Sequence, residues 1–168
     1  MYDRFENIPP EKYETMMFLN MNVVVRLSHV FLKHAKPGDA LINVSTILSR
    51  LAFPGAAVYV ASKTFVNSLT ESLWYEFRDK GVYVMALQPG LTQTGFHSAA
   101  LGDKQSHLPE VQYTPESVVA TALETLRTRK EPCVICGRKY KILAFLGGRL
   151  LSRKKMITRM GNKSPGLK

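Results

Sequence analysis

The chain has 168 residues, 45% of them apolar, two cysteines and a formal net charge of +10. That length and apolar content suit one globular domain with a buried core and exclude a chain disordered throughout. No uninterrupted apolar run approaches the roughly 18 residues of a membrane-spanning helix, so none is expected. The polar opening MYDRFENIPPEK has the pattern of neither a secretory signal nor a transit peptide, so the expected location is the cytoplasm.

Basicity belongs to one end. Thirteen of the 23 Lys and Arg, against one of the 13 acids, fall from Arg127 onward, leaving residues 1–126 slightly negative. This argues against nucleic-acid binding and for a surface-seeking C-terminal segment that could meet a membrane surface.

In chain order, Pro9-Pro10 precedes a long helical stretch, residues 11–35, which Pro37-Gly38 stops. Its apolar residues, including Met16, Leu19, Val23, Leu27, Val30 and Phe31, occupy more than one face, which predicts burial on two sides, against a sheet and against a partner helix. Ala40 to Val44 reads as a short buried strand. A second helix spans residues 57–80 and ends at Gly81, and Val82 to Gln88 is another buried strand. The stretch Gly95 to Tyr113 reads as a long loop able to shape a pocket, and its Phe96, Leu101, Leu108 and Val111 lean toward an apolar ligand. Thr114-Pro115-Glu116 has the signature of an N-cap, a first-turn proline and a favourable acid for a helix to about Arg129.

Pro132 to Cys136 closes the set as a third strand, in which Cys133 and Cys136 would point to opposite faces rather than form a redox pair or half a zinc site. His29, His34, His97 and His107 have no metal-ligand spacing, so no metal site is expected. Residues 1–137 are therefore read as one helix–strand–helix–strand–helix–strand unit and residues 138–168 as a basic, amphipathic tail. In the tail, Ile142, Phe145, Met156, Ile157 and Met160 interleave with cations, which suits either an anionic membrane surface or packing on the domain. The alternation of elements predicts an α/β fold with a parallel sheet. Three strands would leave the outer edge of the first one unpaired.

Chemistry concentrates at three places. In YVASK, Tyr59 and Lys63 are four apart, so on a helix the ammonium can approach the phenol and favour its phenolate. Thr46 stands thirteen positions before Tyr59, at the carboxyl end of the first strand, where open α/β sheets bind ligands. The second strand runs into PGLTQT, which puts Pro89, Gly90, Thr92 and Thr94 in a loop at the same end.

NVST at 43–46, YVASK at 59–63 and QPGLTQT at 88–94 resemble, in order and spacing, the motifs of the short-chain dehydrogenase/reductase family, N-[IV]-S-S, Y-x-x-x-K and P-G-x-[VI]-x-T. The resemblance implies a partial Rossmann-like, doubly wound parallel sheet and an NAD- or NADP-dependent oxidoreductase. Such an enzyme interconverts a carbonyl and a secondary alcohol on a small-molecule substrate. Tyr59 would be the acid/base. Lys63 would lower its pKa and hold the nicotinamide ribose, and Thr46 would replace the family's substrate-orienting Ser. Asn20, with Asn22 as its rival, would hold a water in a proton relay. Pro89, Gly90, Thr92 and Thr94 would frame the nicotinamide.

The family's Gly-rich phosphate turn, T-G-x-x-x-G-x-G, is not among these 168 residues, and neither is the segment that would pair with the first strand. The expectation is thus a C-terminal portion of such an enzyme. The alternative is a catalytically inactive fragment that serves as a dimerisation or interaction module. By the same resemblance, helices 11–35 and 57–80 would form a homodimer interface.

Overall fold

The structure, a computed structural model, describes residues 2–96, 113–150 and 152–167. Most of the expected loop from Gly95 to Tyr113, with Leu101, Leu108, Val111, His97 and His107, lies outside the described residues.

A parallel sheet runs β1 (Ala40–Val44), β2 (Tyr83–Gln88), β3 (Cys133–Ile135), in that spatial order, so β1 stands at an edge. Register pairs Ala40 with Tyr83 and Val44 with Leu87, then Ala86 with Cys133 and Gln88 with Ile135. Every residue of β2 is buried, as a central strand covered on both faces requires. Its alternation divides the core. Tyr83, Met85 and Leu87 pack with Val118 and Ala122 of helix α4 (Pro115–Thr128), and Val84 with Leu32, Leu73 and Phe77 on the other face. A fully buried side chain of the size of Met85, Leu87 or Val84 contributes on the order of 2 kcal/mol.

The first helical stretch is α1 (Pro10–Met17), a π turn (Phe18–Asn22) and α2 (Val23–His34), continuous from Pro10 to His34. By length and composition it is apolar enough to cross a membrane, which the search for an unbroken apolar run did not reveal. The expected burial on two sides is not what the single chain shows: Ser28 and Leu32 are buried, whereas Leu19, Leu27 and Val30 are more than half exposed. One side meets the sheet and the helix Ala57–Phe77. The other is an uncovered apolar face.

Helix α3 (Ala57–Phe77) ends in a 3-10 turn, with Gly81 left-handed (φ 68°) as its stop. Helix α4 begins as its sequence signals, with Thr114 accepting from the Ser117 amide. The basic tail forms two helices, α5 (Arg138–Leu150) and α6 (Arg153–Gly161), followed by a turn at Pro165–Leu167.

One buried polar group ties three elements together. The Asn43 amide on β1 donates to the Ser28 hydroxyl of α2 (3.3 Å) and to the Thr70 hydroxyl of α3 (3.1 Å). Removing it takes this partner from the buried Ser28 hydroxyl and leaves the Thr70 hydroxyl with Val66 O alone. Asn43→Ala is expected to destabilise the fold by about 2 kcal/mol, measured by urea denaturation, and an unchanged midpoint would show that the hydrogen bonds are energetically silent.

Candidate active site

The β1–β2 ladder continues past both strands, through Ser45 N to Leu87 O (2.8 Å) and Ile47 N to Pro89 O (3.0 Å). The backbone that follows each strand is thereby fixed at the carboxyl end of the sheet, where α3 begins. Thr46 caps the 3-10 turn Ile47–Arg50, its hydroxyl accepting from Leu48 N (3.4 Å). That hydroxyl also donates to Pro89 O (3.5 Å), and it lies close enough to the Tyr59 phenol to lower its pKa. Thr46 and Tyr59, chosen from the sequence, therefore meet.

Ser45 and Lys63 form a reciprocal clasp. The buried Ser45 hydroxyl donates to Lys63 O (2.8 Å), and the Lys63 ammonium donates to Val44 O (3.0 Å). Ser45 does point away from Thr46, as expected for an extended chain, but its far side meets α3 and fixes where the helix lands. Lys63 is on the same helix face as Tyr59, yet its ammonium takes a backbone carbonyl. Burial lowers the Lys63 pKa and pushes that of Tyr59 up to about 12, with the Tyr2 charge adding to the rise and Thr46 opposing it. Both groups have lost water, and each loss favours the neutral form. The phenol of this structure is an acid.

Asn20 lies in the π turn, a feature that recurs at functional positions in helices. Its amide donates to Ser62 Oγ (3.0 Å), which in turn donates to Tyr59 O (2.7 Å). Asn22 is exposed. The structure thus joins Asn20, not its rival, to the turn that carries Tyr59.

Pro89 and Gly90 lie half-buried beside Thr46, and the Tyr140 ring of α5 would be 2.0 Å from a Cβ on Gly90. The Thr92 hydroxyl donates to Gly90 O (3.0 Å), and Thr92 bridges to Tyr113. Thr94 is exposed, and its hydroxyl accepts from the Phe96 amide (3.4 Å).

Two aromatic walls flank the phenol. The Phe96 ring lies 5.8 Å from the Tyr59 ring, and Tyr2 stands edge-on to Phe53 at 6.2 Å. Asp3 N donates to Gly55 O (3.0 Å), which ties Tyr2 to the loop after Thr46. The end of the tail closes over this wall: Ser164, Pro165 and Gly166 are buried, and a Cβ on Gly166 would meet the Tyr2–Asp3 backbone at 2.6 Å. Gly55 is left-handed (φ 82°), with Ser164 Oγ only 2.5 Å from where its Cβ would stand.

Sequence reading also missed the platform beneath the 3-10 turn. Buried Gln88 donates to Ser49 Oγ (3.2 Å) and to Asn67 Oδ1, and accepts from Arg50 Nε (2.8 Å). An amide that ends an otherwise apolar strand was the available signal. Arg50 also approaches Cys133 Sγ (3.1 Å), while Cys136 is buried in the core, and burial raises both thiol pKa values.

An ammonium, a phenol and a second hydroxyl gather at the carboxyl end of a parallel sheet, where open α/β sheets bind ligands. The sequence profile of the short chain dehydrogenase family matches residues 2–105. The chain belongs to that family. It is 33% identical over 113 residues to the 3alpha-hydroxysteroid dehydrogenase of Mediterraneibacter gnavus, covering 66% of this chain and 42% of that protein. Its fold resembles the 7beta-hydroxysteroid dehydrogenase of a structure on that enzyme's stereoselectivity, at TM-score 0.79 and 26% identity over 95% of this chain and 62% of the other. The short-chain dehydrogenase from Sphingobium yanoikuyae in complex with NADPH superposes at TM-score 0.71 and 26% identity, over 89% and 59% of the two chains. This chain therefore spans about half of the curated relative's length.

The closure by the tail is testable. Gly166→Val should expel Pro165–Leu167 from the Tyr2 wall and speed limited proteolysis between residues 152 and 168 by at least about tenfold, a gain in local opening of roughly 1.4 kcal/mol. Unchanged cleavage would mean that the tail is not held there.

Proposed function

We propose that the chain carries the catalytic residues of an NAD(P)-dependent oxidoreductase that interconverts a carbonyl and a secondary alcohol. The observation that supports this most is the approach of the Tyr59 phenol to the Thr46 hydroxyl, with Lys63 one helical turn on, at the carboxyl end of β1. Tyr59 delivers a proton to the carbonyl oxygen in reduction and takes it back in oxidation. Thr46 donates a hydrogen bond to the same oxygen, and its extra methyl relative to Ser narrows the approach. Lys63 holds the nicotinamide ribose and, when its ammonium turns from Val44 O toward the phenol, stabilises the phenolate. Asn20 orients a water that resupplies protons behind Tyr59. Pro89, Gly90, Thr92 and Thr94 frame the nicotinamide ring. The cofactor supplies or accepts the hydride when bound.

The aromatic walls, Phe96 on one side and Tyr2 with Phe53 on the other, favour an apolar substrate, of the hydroxysteroid kind that names the relatives. With the phenol neutral up to about pH 12, reduction is expected to stay flat through neutral and mildly alkaline pH. Oxidation should rise with pH as phenolate forms. The test is NADPH or NADH oxidation with a ketosteroid. Tyr59→Phe should lose 10²–10⁴-fold in kcat with cofactor binding, read by fluorescence titration, unchanged. Equal turnover in the variant would remove Tyr59 from the mechanism.

The exposed apolar faces favour a second reading, a dimerisation or interaction module without turnover of its own. Leu19, Leu27 and Val30 of the first helical stretch and Tyr75 of α3 are each more than half exposed, and such a patch marks an interaction surface. A second copy of the chain is the proposed occupant under either reading. Light scattering is expected to give twice 18.9 kDa, and Leu27→Glu with Val30→Glu should return the monomer. A wild-type monomer at working concentration would overturn the dimer while leaving the oxidoreductase reading to the kinetic test.

A further inference from the structure

No acid follows Glu131 in the sequence, and ten Lys and Arg lie between Arg138 and Lys168. Helix α6 sorts its residues by face. Met156, Ile157 and Met160 are half-buried, with Gly161 approaching Pro54 (3.5 Å from the Cβ position), while Lys154, Lys155, Arg159 and Lys163 are exposed. The helix docks on the domain by its apolar side and leaves its cations outward. Lys154, Lys155, Thr158, Arg159 and Lys163 surround a shallow, open depression of about 540 Å³. On α5, Ile142 and Phe145, one turn apart, are 59% and 60% exposed beside Lys139 and Lys141.

We infer that the outer face of α5 and α6 is a docking surface for an anionic lipid membrane, with the cations on the headgroups and Ile142 and Phe145 at the acyl boundary. Charge complementarity selects an anionic partner. Large exposed apolar side chains among the cations select a lipid surface, because an amphipathic helix in the headgroup plane rewards both kinds of contact. A soluble anion or a nucleic acid would leave Ile142 without a role.

The tail that would dock also borders the catalytic residues. Tyr140, in the first turn of α5, packs on Gly90, and Gly166, beyond α6, packs on Tyr2 and Asp3. Docking therefore holds at the lipid surface two segments that pack on Gly90 and on Tyr2, whose charge reaches Tyr59. An apolar ketone or alcohol dissolved in the bilayer would be drawn from there; this consequence rests on the oxidoreductase reading, but the docking does not.

The test is co-sedimentation of the 168-residue protein with vesicles of phosphatidylcholine alone or mixed with phosphatidylglycerol. Binding is expected only with the anionic lipid, weakening with salt. Lys154→Glu, Lys155→Glu and Arg159→Glu together should lower partitioning on the order of 100-fold, with the fold retained by circular dichroism. Ile142→Asp with Phe145→Asp should remove the part of the binding that survives high salt. Equal sedimentation with neutral and anionic vesicles would overturn the inference, as would charge reversal without effect. Thermal stabilisation by inorganic phosphate, or retention on duplex DNA, without vesicle binding would also overturn it, by assigning the patch to a soluble anion or a nucleic acid. Turnover plays no part in these outcomes, so an inactive protein that binds vesicles would refute the enzyme and keep the docking surface.

Discussion

The clasp between Ser45 and Lys63 determines where everything else in the site can be. One hydroxyl of β1's extension holds the backbone of α3, and one ammonium of α3 holds the carbonyl of Val44. With the helix seated on the strand end, Tyr59 falls beside Thr46, and Thr46 is itself fixed as the cap of the turn that follows. Asn43, two residues upstream, repeats the device deeper in the core by joining β1 to Ser28 and Thr70. A strand with polar residues at alternate positions, Asn43 and Ser45, thus uses one face to lock two helices. Thr46, on the opposite face from Ser45, turns its hydroxyl toward Pro89 O and the Tyr59 phenol.

The local part of this architecture was legible in the residues. β1 and β2, the start of α4 and the convergence of Thr46 with Tyr59 all follow from short-range pattern and from the rule that parallel sheets gather ligands at their carboxyl ends. What depends on long-range packing was not. Nothing near Gln88 in sequence announces Ser49, Asn67 and Arg50 as its partners, because these come from a turn and a helix 21 to 39 positions away. Gly166 gives no local sign that it must pass within 2.6 Å of the Tyr2–Asp3 backbone. The spacing of Tyr59 and Lys63 placed them on one face but left the choice of acceptor open, and the ammonium took Val44 O.

The uncovered surfaces share one physical origin. Helix residues 11–35 read as buried on both sides because their apolar side chains surround the axis, yet the described chain covers one side only. Apolar surface left in water contributes nothing to stability, at a loss of about 25 cal/mol for each Å² that a second surface would have covered. The edge position of β1 is the backbone version of the same situation. Neither is a defect of the sequence pattern, which describes the surroundings a residue suits rather than the surroundings that one chain supplies.

The electrostatics of the catalytic pair follow from the same geometry. Burial disfavours the charged form of each group, raising the Tyr59 pKa and lowering that of Lys63, and the two lie one helical turn apart with the Lys63 ammonium on Val44 O. In that state Tyr59 holds its proton up to about pH 12, the form that the proposed reduction would draw on. Running the chemistry toward oxidation requires the phenolate, and the cation able to stabilise it is already on the correct face, bound to a backbone carbonyl through a single hydrogen bond. The acceptor that Lys63 takes therefore decides how strongly a phenolate at Tyr59 is stabilised, and with the ammonium on Val44 O the phenol keeps its proton.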